Sequence, residues 1–305
     1  MVAPSVAKSP KRIVLIGEAM LELSRKQVGG WNMGYGGDTL NTAVHLARAG
    51  HNVAYLTAMG TDPFSDDLVE EECRGEGLDT SLILRHPTRG PGLYAITTDE
   101  TGERSFTYWR DSSAAREMFA LPGIKAALEA AEQADLIAYS LITLAILPLE
   151  AREQLFDLCR RVRARGGRVA FDGNYRPRLW ASAEEARAAR DQAIACADIG
   201  LPTLEDEHLL SGETSADAVA DHWRALGCAE TIVKLGAEGA RLPDGTTLPP
   251  PEVLQPVDTS GAGDAFNGGY LASRMNGASV EDAVMAGHRL AGWCVVRAGA
   301  IPGPD

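Results

Sequence analysis

The sequence predicts an α/β fold in which helices cover both faces of a mostly parallel central sheet. Short apolar runs alternate with longer amphipathic stretches, which is the pattern of repeated strand–helix units. Several of the amphipathic stretches end at a glycine, as helices commonly do. The hydrophobic fraction is 45% over 305 residues, enough for a sizeable core, and no repeat, low-complexity tract or linker divides the chain. We therefore expect one domain over residues 12–305, preceded by a flexible leader over residues 1–11.

The alternation of apolar and amphipathic segments assigns the individual elements. The predicted strands are Ile13–Ile16, Val53–Thr57, Leu136–Ser140, Val169–Asp172, Ile199–Leu201 and Ile232–Leu235. The predicted helices are Thr39–Ala49, Phe64–Glu76, Leu149–Arg165, Glu184–Cys196, Ala216–Leu226, Ala265–Met275 and Val280–Val296. Gly50, Gly77, Gly166 and Gly227 follow four of these helices, where a left-handed C-terminal cap is expected.

The segment 90–110 interrupts this alternation, because it contains two β-type runs around a turn and no helical pattern. We predict an antiparallel hairpin that projects from the sheet, with Glu100-Thr101-Gly102 as its three-residue loop. This register places Tyr94 opposite Tyr108.

One face of the predicted hairpin is suited to a ligand that carries a carboxylate. Two phenols and a guanidinium share that face, and Gly92, opposite Arg110, leaves room for the arginine. The alternative is an amphipathic hairpin whose aromatic side chains only pack on the body of the protein. The residues of this face are Tyr94, Ile96, Phe106, Tyr108 and Arg110.

Composition excludes several classes of function. The net charge of −13 argues against a surface for nucleic acid or anionic membranes. The five cysteines are far apart and form no CxxC pair, which favours reduced thiols in a cytoplasm over a disulfide framework or a zinc site. The first twelve residues lack the apolar segment of a signal peptide or a membrane span. We expect a cytoplasmic protein.

The segment from Asp258 to Asp264, DTSGAGD, sets a carboxylate beside the start of a predicted helix. Gly261 and Gly263 allow the backbone to approach a ligand, and the unpaired N–H groups of a helix start attract anions. Asp264 could accept a proton from an attacking hydroxyl. The pattern therefore predicts phosphoryl transfer to an alcohol, although a capped glycine-rich turn without function is the alternative.

Three further segments could complete a ligand site. Gly36 and Gly37 precede a helix that Asp38 or Thr39 could cap, and Asn41 would face the same opening. Two others lie at the expected carboxyl edge of the sheet: a turn with two glycines after Lys234, and a segment that carries Asn174, Arg176 and Arg178. An ordinary capped helix and surface salt bridges are the alternatives.

Together these segments resemble the ribokinase (PfkB) family of carbohydrate kinases, from about Arg12 to Pro302. Both family signatures occur in order, as GGDTLNTAVHLARAG and DTSGAGDAFNGGY. Within the family the chain is most similar to bacterial 2-keto-3-deoxygluconate kinases, chiefly through IGEAMLELS, NYRPRLWAS and GLYAITTDETGERSFTYWR. The resemblance implies a ribokinase-like three-layer fold with a small β lid over about residues 20–37 and 88–112.

The resemblance also implies an activity: phosphorylation of the terminal hydroxyl of 2-keto-3-deoxy-D-gluconate by ATP. In that case Asp264 is the base, and the N–H groups of Gly261, Ala262 and Gly263 form the anion hole. The sugar acid would be bound by Gly36, Gly37, Asn41, Tyr94, Tyr108, Arg110 and Arg176, with Arg110 against the carboxylate. The nucleotide would be bound by Asn174, Lys234, Gly236 and Gly239, with His288 on the helix beside the base.

The metal site departs from the family pattern. Where many members have Asn-x-x-Glu, this chain has Thr203-Leu-Glu-Asp206. We expect Mg²⁺ to bind through water at Asp206 or Glu205, because Mg²⁺ usually keeps several waters. Family analogy also suggests a monovalent-cation loop near Asp258 and Ala298–Ala300, and a homo-oligomer formed through lid strands.

Three other functions fit parts of the sequence. A kinase of a neutral sugar such as fructose or ribose is the nearest alternative, and Arg110 beside two tyrosines argues against it. A dinucleotide-dependent oxidoreductase is disfavoured because GAGDAF lacks the third glycine and lies too near the C-terminus. A catalytically silent sugar sensor is disfavoured by the intact Asp264.

Overall fold

The structure is a computed structural model that describes residues 11–25, 29–98 and 104–303. Over these ranges the strands are β1 (Arg12–Ile16), β2 (Met20–Arg25), β3 (Trp31–Gly36), β4 (Asn52–Met59), β5 (Ile83–Arg85), β6 (Gly92–Thr98), β7 (Arg104–Trp109), β8 (Leu136–Ser140), β9 (Arg168–Asp172), β10 (Ile199–Gly200), β11 (Glu230–Thr231), β12 (Val233–Lys234), β13 (Ala240–Arg241) and β14 (Thr247–Leu248).

The α-helices of the same ranges are α1 (Asp38–Arg48), α2 (Pro63–Asp67), α3 (Ile124–Ala131), α4 (Leu141–Ile146), α5 (Leu149–Ala164), α6 (Ala183–Cys196), α7 (Leu204–Ser211), α8 (Ala216–Ala225), α9 (Ala262–Met275) and α10 (Val280–Val295). Short 3₁₀ segments occupy Ala114–Ala120, Pro177–Leu179 and Gly236–Glu238, and a π-helical segment, Leu68–Cys73, continues α2.

The predicted α/β fold is confirmed. Seven strands form a parallel sheet in the order β11-β10-β9-β8-β1-β4-β5. Its central strands are apolar runs because helices cover both faces of the sheet. Along β1, Val14 and Ile16 enter the apolar cluster on one face, and Ile13 and Leu15 enter the cluster on the other.

The glycines predicted to end four of the helices adopt the expected cap conformation. Gly50, Gly77, Gly166 and Gly227 all have left-handed φ values, between 78° and 110°, as predicted. However, α9 begins at Ala262, three residues before the predicted start, because Gly261 adopts a left-handed conformation and becomes its N-cap.

Several other predicted elements differ from the structure. The predicted strand Ile232–Leu235 is confirmed in part. β12 lies within it and pairs antiparallel with β13 in a sheet of order β12-β13-β14, while Lys234 keeps a parallel bridge to Thr203, just beyond β10. The predicted helix Phe64–Glu76 changes to π-helical pairing at Leu68. The prediction omitted α3, α4 and α7, which have at most eight residues and so show little periodicity.

A second sheet, of four strands in the order β3-β2-β6-β7, contains the predicted hairpin. Within it β2 pairs antiparallel with β3 and parallel with β6, and β6 pairs antiparallel with β7. Tyr94 lies opposite Tyr108, as predicted, and their ring centroids are 5.9 Å apart. The predicted loop Glu100-Thr101-Gly102 lies outside the described residues. We refer to these four strands as the lid sheet.

No helix in the described ranges combines the length and the apolar character needed to cross a membrane.

Candidate active site

A cleft of about 1110 Å³ lies between the lid sheet and the carboxyl ends of the central strands. It brings together side chains that are far apart in sequence. The lid contributes Tyr94, Tyr108 and Arg110. The body contributes residues that follow β9, the last residue of β12 and the first turn of α9. Of the residues predicted at the site, those that line the cleft are Gly37, Asn41, Tyr94, Tyr108, Arg110, Asn174, Arg176, Asp206, Lys234, Gly261, Ala262, Gly263 and Asp264.

The start of α9 forms one wall of the cleft. Gly261 has φ 70°, and a Cβ there would lie 2.7 Å from the Cβ of Ala300, so the position requires glycine. Asp264 is the third residue of the helix and is only 8% exposed. Its Oδ2 accepts a hydrogen bond of 2.7 Å from Nδ2 of Asn41. The first turn of α9 thus places its backbone and one carboxylate along the same space, although the N–H of Ala262 also donates to the carbonyl oxygen of Thr259 at 3.3 Å.

The environment of Asp264 makes it a base near neutral pH. Burial and the neighbouring charges of Asp38 and Asp172 raise the pKa of its carboxyl group to about 7, against the opposing effects of Asn41 and Lys234. A carboxylate with this pKa is ionised often enough at neutral pH to accept a proton, and basic enough to hold it.

Lys234 is held beside this helix start by a buried network. Its Nζ donates to Oδ1 of Asp172 and to Oδ1 of Asn267, each at 3.1 Å, and Nδ2 of Asn267 donates to Oδ2 of Asp172 at 2.8 Å. A Cβ on Gly263 would lie 3.8 Å from the same Nζ. The ammonium group and the helix start therefore face the same point, which favours an anion there.

Sequence reasoning missed Asp172 and Asn267 as members of the site. The signal was present, since Asp172 ends a predicted strand at the sheet edge that was expected to bind the ligand, and Asn267 lies inside the second glycine-rich segment.

The lid side of the cleft carries two residues that are bonded to glutamates. Arg110 is 6% exposed, and its Nε donates to Oε2 of Glu18 at 2.8 Å, while its Nη2 donates to the same oxygen. The hydroxyl of Tyr94 donates to the carboxylate of Glu22, and burial together with that carboxylate raises the pKa of Tyr94. Tyr108 is 44% exposed, so it does not simply pack on the body. Neither glutamate was predicted, although both lie in the segment IGEAMLELS.

The predicted capping of α1 is wrong. Its N-cap is Gly37, which has φ 146° and supplies no side-chain cap. Glycine is required there because a Cβ would overlap the carbonyl oxygen of Glu18. The hydroxyl of Thr39 instead bonds to that of Tyr55 at 2.9 Å. Asp38 turns into the site, where it accepts a hydrogen bond of 3.3 Å from Nδ2 of Asn174, and burial raises the pKa of its carboxyl group.

Five of the predicted site residues do not line the cleft. Gly36 lies behind the hydroxyl of Tyr94, which a Cβ at this position would overlap. Gly236 and Gly239 belong to the 3₁₀ turn after β12, and Glu205 is an exposed residue of α7. His288 is buried, with its Nε2 3.0 Å from the carbonyl oxygen of Leu248.

The residues present are suited to a divalent ion whose coordination comes mainly from water and from a bound small molecule, and less from the protein. The described part of the chain contains no group of three or more His, Cys, Asp or Glu residues arranged to hold a metal. Asp206 lines the cleft, and burial raises the pKa of its carboxyl group to about 6, although it also accepts a hydrogen bond of 3.0 Å from Nη1 of Arg176. Oδ1 of Asn174 is buried without a hydrogen-bond partner. These oxygens suit contacts through water to a hydrated ion.

A hydrogen bond joins the two parts of the predicted cation loop. Oδ2 of Asp258 accepts a hydrogen bond of 2.8 Å from the backbone N–H of Gly299. This joins the segment that precedes α9 to the segment that follows α10, the two regions named from the sequence.

Comparisons with known proteins agree with this geometry. A family model described as pfkB family carbohydrate kinase matches residues 10–305. The 2-dehydro-3-deoxygluconokinase of Escherichia coli (strain K12) is 44% identical over 304 residues, which cover 95% of this chain and 97% of that protein. The 2-dehydro-3-deoxygluconokinase of Dickeya dadantii (strain 3937) is 43% identical over 301 residues, with coverage of 95% and 96%.

A solved structure of a fructokinase double mutant from Vibrio cholerae O395, in its fructose, ADP and potassium ion bound form, has a TM-score of 0.81 to this chain. The two are 25% identical, and the match covers 95% of this chain and 94% of that one.

Proposed function

Because the chain belongs to the pfkB family of carbohydrate kinases, we propose that it transfers the γ-phosphoryl group of ATP to the terminal hydroxyl of 2-keto-3-deoxy-D-gluconate. The observation that most supports a sugar acid as the substrate is the buried guanidinium of Arg110, which lines the same cleft as Asp264. A guanidinium binds a carboxylate with two hydrogen bonds, and a sugar acid supplies that carboxylate at the end of the chain opposite its terminal hydroxyl.

In the proposed reaction Asp264 accepts the proton of the terminal hydroxyl. The freed oxygen forms a bond to the γ-phosphorus, the bond from that phosphorus to the bridging oxygen breaks, and ADP leaves. The N–H groups of Gly261, Ala262 and Gly263, with Lys234, stabilise the negative charge of the transferred group. Asn41 orients the base through its 2.7 Å hydrogen bond.

The remaining predicted roles are assigned within the same proposal. Tyr94, Tyr108 and Gly37 contact the sugar acid, and Arg176 lies between the sugar acid and the phosphates. Asn174 contacts the phosphates. Gly36 shapes the cleft from behind Tyr94. The nucleotide-binding roles of Gly236, Gly239 and His288 stay predictions, since none of the three lines this cleft.

Two ions belong to the proposal. When bound with ATP, Mg²⁺ would supply neutralisation of phosphate charge. Asp206 would hold it through water, and Glu205, which is exposed, is the poorer candidate. The segments around Asp258 and Ala298–Ala300 would hold a monovalent cation. The fructokinase structure with a bound potassium ion supports the presence of such an ion in a related fold.

A kinase of a neutral sugar such as fructose remains the second candidate. It is favoured by the structural likeness to a fructokinase, at 25% identity. It is disfavoured by Arg110, since a neutral sugar has no carboxylate to meet a guanidinium that lines the cleft, and by the 43% and 44% identity to the two sugar-acid kinases.

The test is ADP release from ATP with 2-keto-3-deoxy-D-gluconate, its galactonate epimer, fructose and ribose. We expect the highest kcat/KM for a keto-deoxy sugar acid. Arg110→Ala should raise the KM for the sugar acid about tenfold or more and leave the KM for ATP near the wild-type value. Preference of the wild-type enzyme for fructose or ribose would replace the proposed substrate by a neutral sugar.

We also propose that the protein acts in the cytoplasm as a homo-oligomer. All five cysteines are free, and Cys73, Cys159, Cys228 and Cys294 are buried, which suits a reducing compartment. The lid sheet has an exposed apolar face that could pair between subunits, and its test is given in the Discussion.

A further inference from the structure

Glu18 lies at the base of the lid sheet, in the short connection between β1 and β2. Arg110 directly follows β7, at the point where the chain leaves the lid sheet. Their ion pair therefore joins the start of β2, the first strand of the lid sheet, to the end of β7, its last strand. The side chains are 1% and 6% exposed, so the pair is shielded from solvent.

The way the two groups meet leaves one edge of the guanidinium for a ligand. A guanidinium has five N–H donors. The Nε edge is used, because Nε and Nη2 both donate to Oε2 of Glu18. Arg110 lines the cleft and Glu18 does not. The edge formed by Nη1 and the second hydrogen of Nη2 is therefore the one left to contact a carboxylate in the cleft.

The backbone around the pair is shaped to keep Glu18 in place. A Cβ on Gly92 would lie 2.7 Å from Oε1 of Glu18, 3.0 Å from Cγ of Met20 and 3.2 Å from Cβ of Arg110. Glycine at this position admits the carboxylate between two strands of the lid sheet. Oε1 is buried and has no hydrogen-bond partner. Only one oxygen of Glu18 is thus bonded, and that oxygen is bonded to Arg110.

From this arrangement we infer that Glu18 is a positioning residue for substrate specificity: it fixes the guanidinium of Arg110 so that its free edge meets the carboxylate of the sugar acid. The inference rests on the proposed function, since it needs a substrate with a carboxylate. Without Glu18 the arginine would retain its charge but would sample several rotamers, and each bound sugar acid would have to order it again.

A competing role for Glu18 makes the opposite prediction. If Glu18 occupied the part of Arg110 that the substrate needs, removal of its charge would free the guanidinium and tighten binding. The sign of the change in KM therefore separates positioning from competition.

The experiment compares Glu18→Ala and Glu18→Gln with the wild-type enzyme, using 2-keto-3-deoxy-D-gluconate and ATP. We expect Glu18→Ala to raise the KM for the sugar acid about tenfold or more, with a smaller change in kcat and an unchanged KM for ATP. Glu18→Gln should recover part of the loss, because its amide oxygen can still accept from Nε of Arg110.

Glu230→Gln is the matched control. Glu230 also forms an ion pair with an arginine, Arg274 at 2.7 Å, but it lies on β11 and does not line the cleft. This variant should keep the wild-type KM for the sugar acid even if it lowers stability.

A double-mutant cycle tests whether Glu18 acts through Arg110. In an Arg110→Ala background, Glu18→Gln should no longer change the KM for the sugar acid. An unchanged or lowered KM in the Glu18 single variants, or the same effect of Glu18→Gln with and without Arg110, would overturn the inference. Absence of wild-type turnover with any keto-deoxy sugar acid would refute the proposed function, and with it this role; wild-type turnover with unaffected Glu18 variants would refute only the role of Glu18.

Discussion

At the scale of single residues, the site concentrates charge that the fold would be more stable without. Asp264 is almost fully buried, and its neighbours include Asp38 and Asp172 as well as Lys234. Ionisation of this carboxyl group therefore costs folding free energy, which is the usual relation between a tuned catalytic group and stability.

We predict that Asp264→Asn lowers kcat by about 10²–10⁴-fold, because the hydroxyl proton loses its acceptor. The same variant should be more stable than the wild type at pH 8. The folded-state pKa of about 7 lies above the ordinary value of 3.8 for an aspartate side chain. The stabilising contribution of Asp264 is thus complete below about pH 4 and is lost as the pH rises through 7, whereas asparagine does not ionise.

Urea unfolding at pH 8 and pH 4, with sugar-acid binding by calorimetry, measures both effects. The free energy of unfolding should favour the variant by about 1 kcal/mol or more at pH 8, and the difference should shrink at pH 4. Turnover close to the wild-type value, with sugar binding retained, would contradict the role of Asp264 as the base.

The pH dependence of kcat/KM supplies a second prediction. Activity should fall as the pH drops below about 7, because protonated Asp264 cannot accept the hydroxyl proton. Burial is the main cause of the raised pKa of Asp264, and the negative charge of Asp38 is the next largest cause that raises it. Asp38→Asn should therefore move the acidic limb of the profile to lower pH, by about one unit.

Asp111→Asn is the control for this shift. Asp111 also lines the cleft, but it is not among the groups that raise the pKa of Asp264. Its removal should leave the position of the acidic limb unchanged. An acidic limb that does not move in Asp38→Asn would contradict the electrostatic account of the base.

At the scale of elements, the start of α9 depends on one glycine. Gly261→Ala should be destabilising by about 1–3 kcal/mol, because φ is 70° and the added Cβ would lie 2.7 Å from the Cβ of Ala300. The displaced helix start should also raise the KM for ATP. Gly212→Ala is the matched control, since Gly212 has a similar φ of 77° and no atom within 4 Å of the added Cβ.

Thermal unfolding and ATP kinetics of the two variants separate strain from crowding. Gly212→Ala should show only the smaller cost of the left-handed backbone, with wild-type kinetics. Equal losses of stability in both variants would indicate that the contact with Ala300 is unimportant.

The elements that could be predicted from sequence are those whose local pattern is decisive. β8 was predicted with its observed bounds because the run Leu136–Ser140 is fully buried between two faces of helices. The cap glycines were predicted because the left-handed conformation is a local requirement. The antiparallel pairing of β12 with β13 could not be predicted, since the run of apolar residues continues from β11 through β12 and no local pattern encodes a second partner strand.

At the scale of the whole molecule, the residues of the site could be predicted but their pairing could not. Asp264, Asn41 and Arg110 stand in segments with recognisable local chemistry. The contact of Asn41 with Asp264 spans 223 positions of sequence, and that of Arg110 with Glu18 spans 92. The first contact depends on how α1 packs beside α9, and the second on how the two ends of the lid sheet meet; no local pattern encodes either.

The lid sheet has two faces of different character, which bears on assembly. Glu22, Tyr94 and Tyr108 are neighbours across the strands on the face toward the cleft. The register places Leu23 beside Met33, and Leu93 beside Trp109, on the opposite face. Apolar patches of this kind on a folded chain commonly mark an interface.

We predict that this outer face joins two copies of the chain. Met33 is 48% exposed and Trp109 is 57% exposed, and burial of such side chains in a dimer would remove apolar surface from water. Met33→Glu should therefore shift the protein toward a monomer of 32.4 kDa, as measured by light scattering after gel filtration. It should also raise the KM for the sugar acid, because an unpaired lid would hold Arg110 less rigidly over the cleft.

Leu149→Glu is the control, since Leu149 is 68% exposed on α5, outside the lid sheet, and should not change the mass. A monomeric wild-type protein, or a Met33→Glu variant with the wild-type mass, would exclude this face as the interface.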